Sequence, residues 1–186
     1  MDPWLRPIQL EGELVKLVPL QKSQKVDLVF AASDGKLWEL WYTTVPSPKT
    51  MDSYLDTALA EQALGKALPF AVINKKTNTI VGSTRYLNVD SKNKRVEIGA
   101  TWYAKKVQRT GINTECKYLL LKYAFENLNC IAVEFRTHFH NHASRNAILR
   151  LGAKQDGILR NHRVDEQGNM RDTVVYSILD SEWKTV

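Results

Sequence analysis

The chain has 186 residues and a mass of 21.3 kDa, with 26 Lys+Arg against 20 Asp+Glu, a formal charge of +6, and 44% hydrophobic residues. That balance excludes a wholly disordered chain, the length favours one domain over residues 1–186, and two cysteines, Cys116 and Cys130, do not make a disulfide scaffold. The longest unbroken apolar run, residues 28–32, is far short of a membrane span, and the first residues lack the basic start and apolar stretch of a signal peptide; a cytoplasmic protein is expected.

Residues 14–18 mix alternation with β-branched members and end at Pro19, which predicts a first strand. Ser23 is placed to cap a helix running to Ala32. Leu37, Trp38, Leu40, Trp41 and Tyr42 recur at helical spacing and predict a short helix before Pro46 and Pro48. Thr50 or Asp52 opens another through Leu59, with Gly65 near its end. The period then changes. Residues 70–73 and 80–87, joined at 75–78, predict a hairpin, and a turn at 90–94 leads to a third strand over 96–103. A helix follows with Ile112, Cys116, Leu119, Leu120 and Tyr123 on its inner face. Residues 130–135 predict a buried strand, and 141–151 a helix with Ala143, Ala147, Ile148 and Leu151 inward and Gly152 as its stop. A hairpin, 157–164 and 171–178, closes the chain. Strand, helices, three-strand meander, helix, strand, helix, hairpin is the order of an α+β or mixed α/β sheet.

Residues 97–114 carry the most chemistry. A strand feeds a short basic loop with one glycine, and a helix starts at once. Free N–H groups and the positive end of the helix dipole suit a phosphate there, with Thr114 adding a hydroxyl and Lys105, Lys106 and Arg109 adding charge. Lys92, Lys94 and Arg95 are counted with that basic cluster, and Arg145, Arg150 and Arg160 as further candidates for reaching a phosphate. One glycine makes neither a Rossmann fingerprint nor a P-loop.

The succession of strand, Gln108-x-x-Gly111-x-Asn113, amphipathic helix, apolar strand, Asn141-x-x-Ser144 helix and Leu151-Gly152-Ala153 resembles the GNAT acyltransferase superfamily, and within it the RimJ/RimL-type branch, whose members acetylate N-terminal amines of ribosomal proteins and other amines. The resemblance covers nearly the whole chain and departs at Asn113, where the family loop has Gly or Ala. It implies a GNAT-like central, mostly antiparallel twisted sheet of about seven strands flanked by helices. It further implies acetyl-CoA as co-substrate: Gln108, Arg109, Thr110, Gly111, Ile112, Asn113 and Thr114 cradling the pyrophosphate, Thr101, Trp102 and Tyr103 pairing with the pantetheine arm, Asn141 holding that arm, and Ser144 near the sulfur. Ile148 stands where many members carry a tyrosine acid, which leaves Ser144 as the catalytic replacement. Glu97 is the candidate base for the acceptor amine, and Trp38, Trp41 and Glu97 are the candidate acceptor contacts.

Each role has a plainer counterpart. Glu97 can be a solvent-facing strand residue paired with Lys94 or Arg95, Ser144 can back-bond within its helix, Asn141 can be an N-cap, and the tryptophans can be core. His138 and His140 invite a metal, but no third ligand stands at fixed spacing, so none is expected. No recognition motif for nucleic acid is present, and a homodimer through an edge strand or helix face is admitted. The expected activity is transfer of an acetyl group to a primary amine, of a protein N-terminus or a small molecule, in a ternary complex. A catalytically weak acyl-CoA-binding module, or an enzyme using a larger acyl group such as succinyl, stays open.

Overall fold

The computed structural model describes residues 4–165 and 167–185. Its strands are β1 (Leu10–Glu11), β2 (Val15–Pro19), β3 (Leu68–Asn74), β4 (Thr79–Asp90), β5 (Arg95–Tyr103), β6 (Ala132–His138), β7 (Lys154–Val164) and β8 (Met170–Leu179). They form one open sheet in the order β1-β2-β3-β4-β5-β6-β8-β7, in which only β5 and β6 run parallel. The helices are α1 (Lys25–Ser33), α2 (Met51–Ala63), α3 (Gly111–Lys122), which crosses over between β5 and β6, and α4 (His142–Leu149).

Local chemistry sets most boundaries. The β3–β4 turn has Asn78 at φ 52, and Gly65 (φ 68) and Gly152 (φ 86) end their helices in the left-handed region. α3 buries Ile112, Cys116 and Leu120 at helical spacing against the sheet, where Val96, Ile98, Val133 and Phe135 are equally buried. Tyr86, fully buried on β4, donates its hydroxyl proton to the Leu120 carbonyl and ties α3 to the sheet.

Three expectations change. The helix over 37–42 reduces to one 3-10 turn, Leu37–Glu39. Gly35 (φ 88) and Lys36 (φ 45) reverse the chain before it, and of its apolar residues only Leu37 is buried, so helical spacing had no face to bury. Ser23 caps nothing: α1 is led in by a 3-10 turn, Lys22–Gln24, boxed by Gln21 and Gln24, and the Ser23 hydroxyl bonds Gln21. Ala143 faces solvent, while Ile148 is the buried residue of α4.

Candidate active site

β5 and β6 pair at only three positions, Arg95–Glu97 against Ala132–Glu134. Beyond Glu97, no strand among the described residues pairs with β5 on that side, while β6 stays paired with β8 out to His138. The sheet therefore splits into a V bordered by Thr101, Trp102 and Tyr103. β5 also bulges there: Arg85 pairs with Gly99 and Ser83 with Trp102, so Ala100 and Thr101 together oppose Thr84. Ala100 sits at φ 46, a strained conformation for a residue with a Cβ.

Glu97 lies at the foot of the V. It is buried at 5% exposure, not solvent-facing, and its partners are neither Lys94 nor Arg95. Asn88 Nδ2 donates to its Oε2 at 2.6 Å, and Arg136 Nε stands 3.5 Å from the same oxygen. Asn88 reaches it from a second bulge, between Leu87 and Asp90, where its own φ is 46. Oε1 keeps no partner among the described residues and faces the space over Gly99, where a Cβ would come within 2.8 Å of it. Burial pushes the Glu97 carboxyl above the usual carboxylate range; the Asn88 bond and the Arg136 and Arg163 guanidiniums pull the other way. Beside it, burial opposes ionisation of Glu134, yet the bonds from Arg95 (2.6 Å) and Arg136 (3.0 Å) outweigh that and hold its carboxyl low. These groups line a cleft of about 190 Å³. It holds a carboxyl group with Oε2 partnered and Oε1 without a partner among the described residues.

At the other end of β5, Lys105–Val107 makes a 3-10 turn and Gln108 Nε2 donates to the Tyr103 carbonyl at 3.0 Å. Arg109 takes φ 61, and Thr110 caps α3, its hydroxyl accepting the Ile112 N–H at 3.4 Å. No acidic residue occupies the first turn of α3. Glu115, one turn on, is turned away to accept the N–H groups of Glu13, Leu14 and Val15, each at 2.8 Å. The N–H groups of Gly111, Asn113 and Thr114 at this start thus meet the demands of a pyrophosphate, and the open edge of β5 those of an amide-bearing arm. Gly111 leaves a gap that a Cβ would close against Leu14 at 2.8 Å. Lys92, Lys94 and Arg95 do not belong here: they stand at the opposite end of a nine-residue strand, roughly 25 Å away. Arg145 is committed too, its Nε to the Tyr176 hydroxyl at 3.0 Å and Nη1 to the Phe139 carbonyl at 3.1 Å.

α4 begins where β6 ends. Asn141 is its N-cap, accepting the Ser144 N–H at 3.0 Å, which leaves its amide N–H groups without an acceptor among the described residues. The half-buried Ser144 hydroxyl makes no hydrogen bond there and does not back-bond within the helix. Trp38 packs against the core, while Trp41, 64% exposed, lies edge-on to His138 (ring centroids 5.1 Å) beside the V. β6 stops at His138 and His140 lies in the turn; among the described residues no group of three His, Cys, Asp or Glu stands close enough to hold a metal. Cys116 and Cys130 are buried and protonated, their thiols pushed up to about 11 and about 12 by burial.

Sequence reasoning missed Asn88, Gly99, Arg136 and the buried Lys117. An isolated Asn and an isolated Gly inside strand patterns are signals of bulge and close approach. Lys117 interrupts the inner stripe of α3 between Cys116 and Leu120.

Residues 15–154 match the acetyltransferase (GNAT) domain family. The Bacillus subtilis (strain 168) protein named "Putative ribosomal N-acetyltransferase YdaF" is 28% identical over 150 residues, 77% of this chain and 79% of that one. The crystal structure of a GCN5-related N-acetyltransferase from Brucella melitensis superposes with TM-score 0.88 at 31% identity, covering 98% of this chain and 83% of its own. RimL, a ribosomal L7/L12 alpha-N-protein acetyltransferase, shares the fold at TM-score 0.82 and 15% identity over 93% of this chain and 94% of its own. With its split sheet, bulged strand and open helix start, the chain belongs to the GNAT acetyltransferases, among relatives consistent with their RimJ/RimL-type branch.

Proposed function

We propose that residues 1–186 form one acyltransferase domain that moves an acetyl group from acetyl-CoA to a primary amine by direct attack in a ternary complex. The observation behind this is a buried carboxylate at the foot of the split sheet, with Oε1 free over Gly99 and the strained bulge next along the strand. An α-amine has a pKa of about 8 and must lose its proton to attack a thioester. Glu97 Oε1 takes that proton, directly or through a water, before the amine nitrogen bonds to the carbonyl carbon, and the second proton that the bonded nitrogen sheds passes to solvent. Backbone N–H groups at 101–103 meet the charge that develops on the carbonyl oxygen. The carbon–sulfur bond then breaks, and the Ser144 hydroxyl bonds the leaving thiolate, which takes its proton from solvent. Asn141 and the open edge at Thr101, Trp102 and Tyr103 hold the pantetheine arm; Gln108, Arg109, Thr110, Gly111, Ile112, Asn113 and Thr114 hold the pyrophosphate. Trp41 borders the acceptor path, with Trp38 behind it. The names of YdaF and RimL support the N-terminal amine of a protein as acceptor.

Isothermal titration with acetyl-CoA tests the reading, and absence of binding at millimolar cofactor refutes it. A binding module with little turnover is favoured by Ile148, which is 7% exposed and brings no hydroxyl to the leaving group. Cofactor binding with no product across a panel of amines, including peptide N-termini, decides for the module.

A further inference from the structure

Lys117 turns from α3 into the core at 6% exposure, the only buried lysine among the described residues. No carboxylate pairs with it there. Its Nζ donates to Thr101 Oγ1 at 2.7 Å and reaches Thr84 Oγ1 at 3.5 Å. The two hydroxyls bond each other at 2.8 Å, and Thr101 also donates to the Gly99 carbonyl at 3.3 Å. An ammonium buried against hydroxyls alone is expensive, and a methionine would fill the same space without that cost.

What the charge holds is the bulge. Thr101 is one of the two residues on β5 that oppose Thr84, so one ammonium ties both strands of the bulge to α3. The same helix starts at Gly111, six residues earlier, about 9 Å along its axis. One rigid element therefore spaces the phosphate-binding end from the bulge.

We infer that Lys117 is a positioning residue for acyl transfer: it fixes the Thr101–Thr84 bulge from the core side and sets a buried positive charge behind the backbone that receives the thioester carbonyl. This rests on acetyl-CoA lying along β5. A fixed charge in a low-dielectric setting favours negative charge developing on the carbonyl oxygen far more than a solvated one does. The groups that bear on Lys117 are Glu97 of β5 and Cys116 of its own helix, the latter beside Tyr103 of β5. Cys116 and Tyr103 are held protonated by burial, which leaves Glu97 as the group able to set a negative charge near the ammonium.

Isotope-edited infrared spectra of acetyl-CoA labelled at the thioester carbonyl test this without knowledge of the acceptor. Bound to the wild-type chain near pH 7, the carbonyl band should lie below that of free acetyl-CoA. In Lys117→Met it should return at least half-way, while CoA affinity by titration stays within about threefold. Raising the pH to about 9.5 should move the wild-type band the same way and leave that of Lys117→Met in place. If Lys117→Met does not fold, Thr101→Val cuts the same tie with the lysine present, and its band should shift likewise. A variant band superimposed on the wild-type band, with CoA binding intact, overturns the inference alone. A wild-type chain that binds no acetyl-CoA overturns the proposed function and this inference with it.

Discussion

Glu97 and Gly99 act as a pair. In the proposed mechanism the carboxylate serves because it is buried, half-satisfied and uncovered: the sheet buries it, Asn88 and Arg136 hold Oε2, and Gly99 leaves Oε1 open. Glu97→Gln keeps the shape and removes the base, so kcat should fall about 10²–10⁴-fold with acetyl-CoA affinity nearly unchanged. In the wild type, activity should be lost as pH falls through the Glu97 pKa, because the protonated carboxyl cannot accept the amine proton. Burial raises that pKa, so the acid limb lies above the ordinary carboxylate range, and initial rates of Glu97→Gln should lack it. Gly99→Ala places a Cβ 2.8 Å from Oε1 and 2.9 Å from Leu87 Cδ1. Displacing the carboxylate by a fraction of an ångström should cost about 10²-fold in kcat, with the KM for acetyl-CoA close to normal. An unchanged rate in Gly99→Ala would mean that Oε1 is not the reacting oxygen.

At the scale of the element, α3 carries a conflict between stability and use. Burial holds the Lys117 pKa down to about 8 from 10.5. A lysine depressed on folding destabilises the native state in full below the folded value, and the penalty is relieved as pH rises from about 8 to 10.5, because only the unfolded chain still holds the proton. The penalty at neutral pH is about 3 kcal/mol at most. Lys117→Met should therefore melt higher than wild type near pH 7 and show less change in melting temperature from about pH 7 to about pH 10, followed by circular dichroism. A lower melting temperature for the variant would mean that the threonine bonds outweigh the burial cost. The same helix shows what the sequence makes legible. Its apolar stripe and the stop of α4 at Gly152 depend on neighbours a few residues away, and local pattern reveals them. The split of β5 from β6 does not, because it depends on which strands fail to pair. Nor does the grip on Glu97, since Asn88, Glu97 and Arg136 come from three strands and meet only once the register is set. The aromatic run at 37–42 misled for the opposite reason: its spacing was helical, but Trp41 and Leu40 had no core to enter.

Across the whole molecule, the charge of +6 divides by position more than by amount. Lys105, Lys106 and Arg109 are exposed around the start of α3, whereas Lys92 and Lys94 are exposed at the far end of β5. Counter-ions damp exposed charges beyond about 10 Å at 0.1 M salt, so cations roughly 25 Å from the phosphate end of the cleft contribute little there. The excess charge should then matter only through the near group. Raising salt from about 0.05 M to about 0.5 M should weaken acetyl-CoA binding about three- to tenfold. The combined change Lys105→Gln, Lys106→Gln and Arg109→Gln should produce most of that loss at low salt and flatten the salt dependence in titration calorimetry. Lys92→Gln with Lys94→Gln should leave both the affinity and its salt slope as they are. Equal flattening by the two sets would mean that the cofactor responds to the net charge of the chain, and the helix start would lose its claim as the local anion site. A flat slope confined to the first set would assign the basic surplus to the one element whose backbone already points N–H groups at a phosphate.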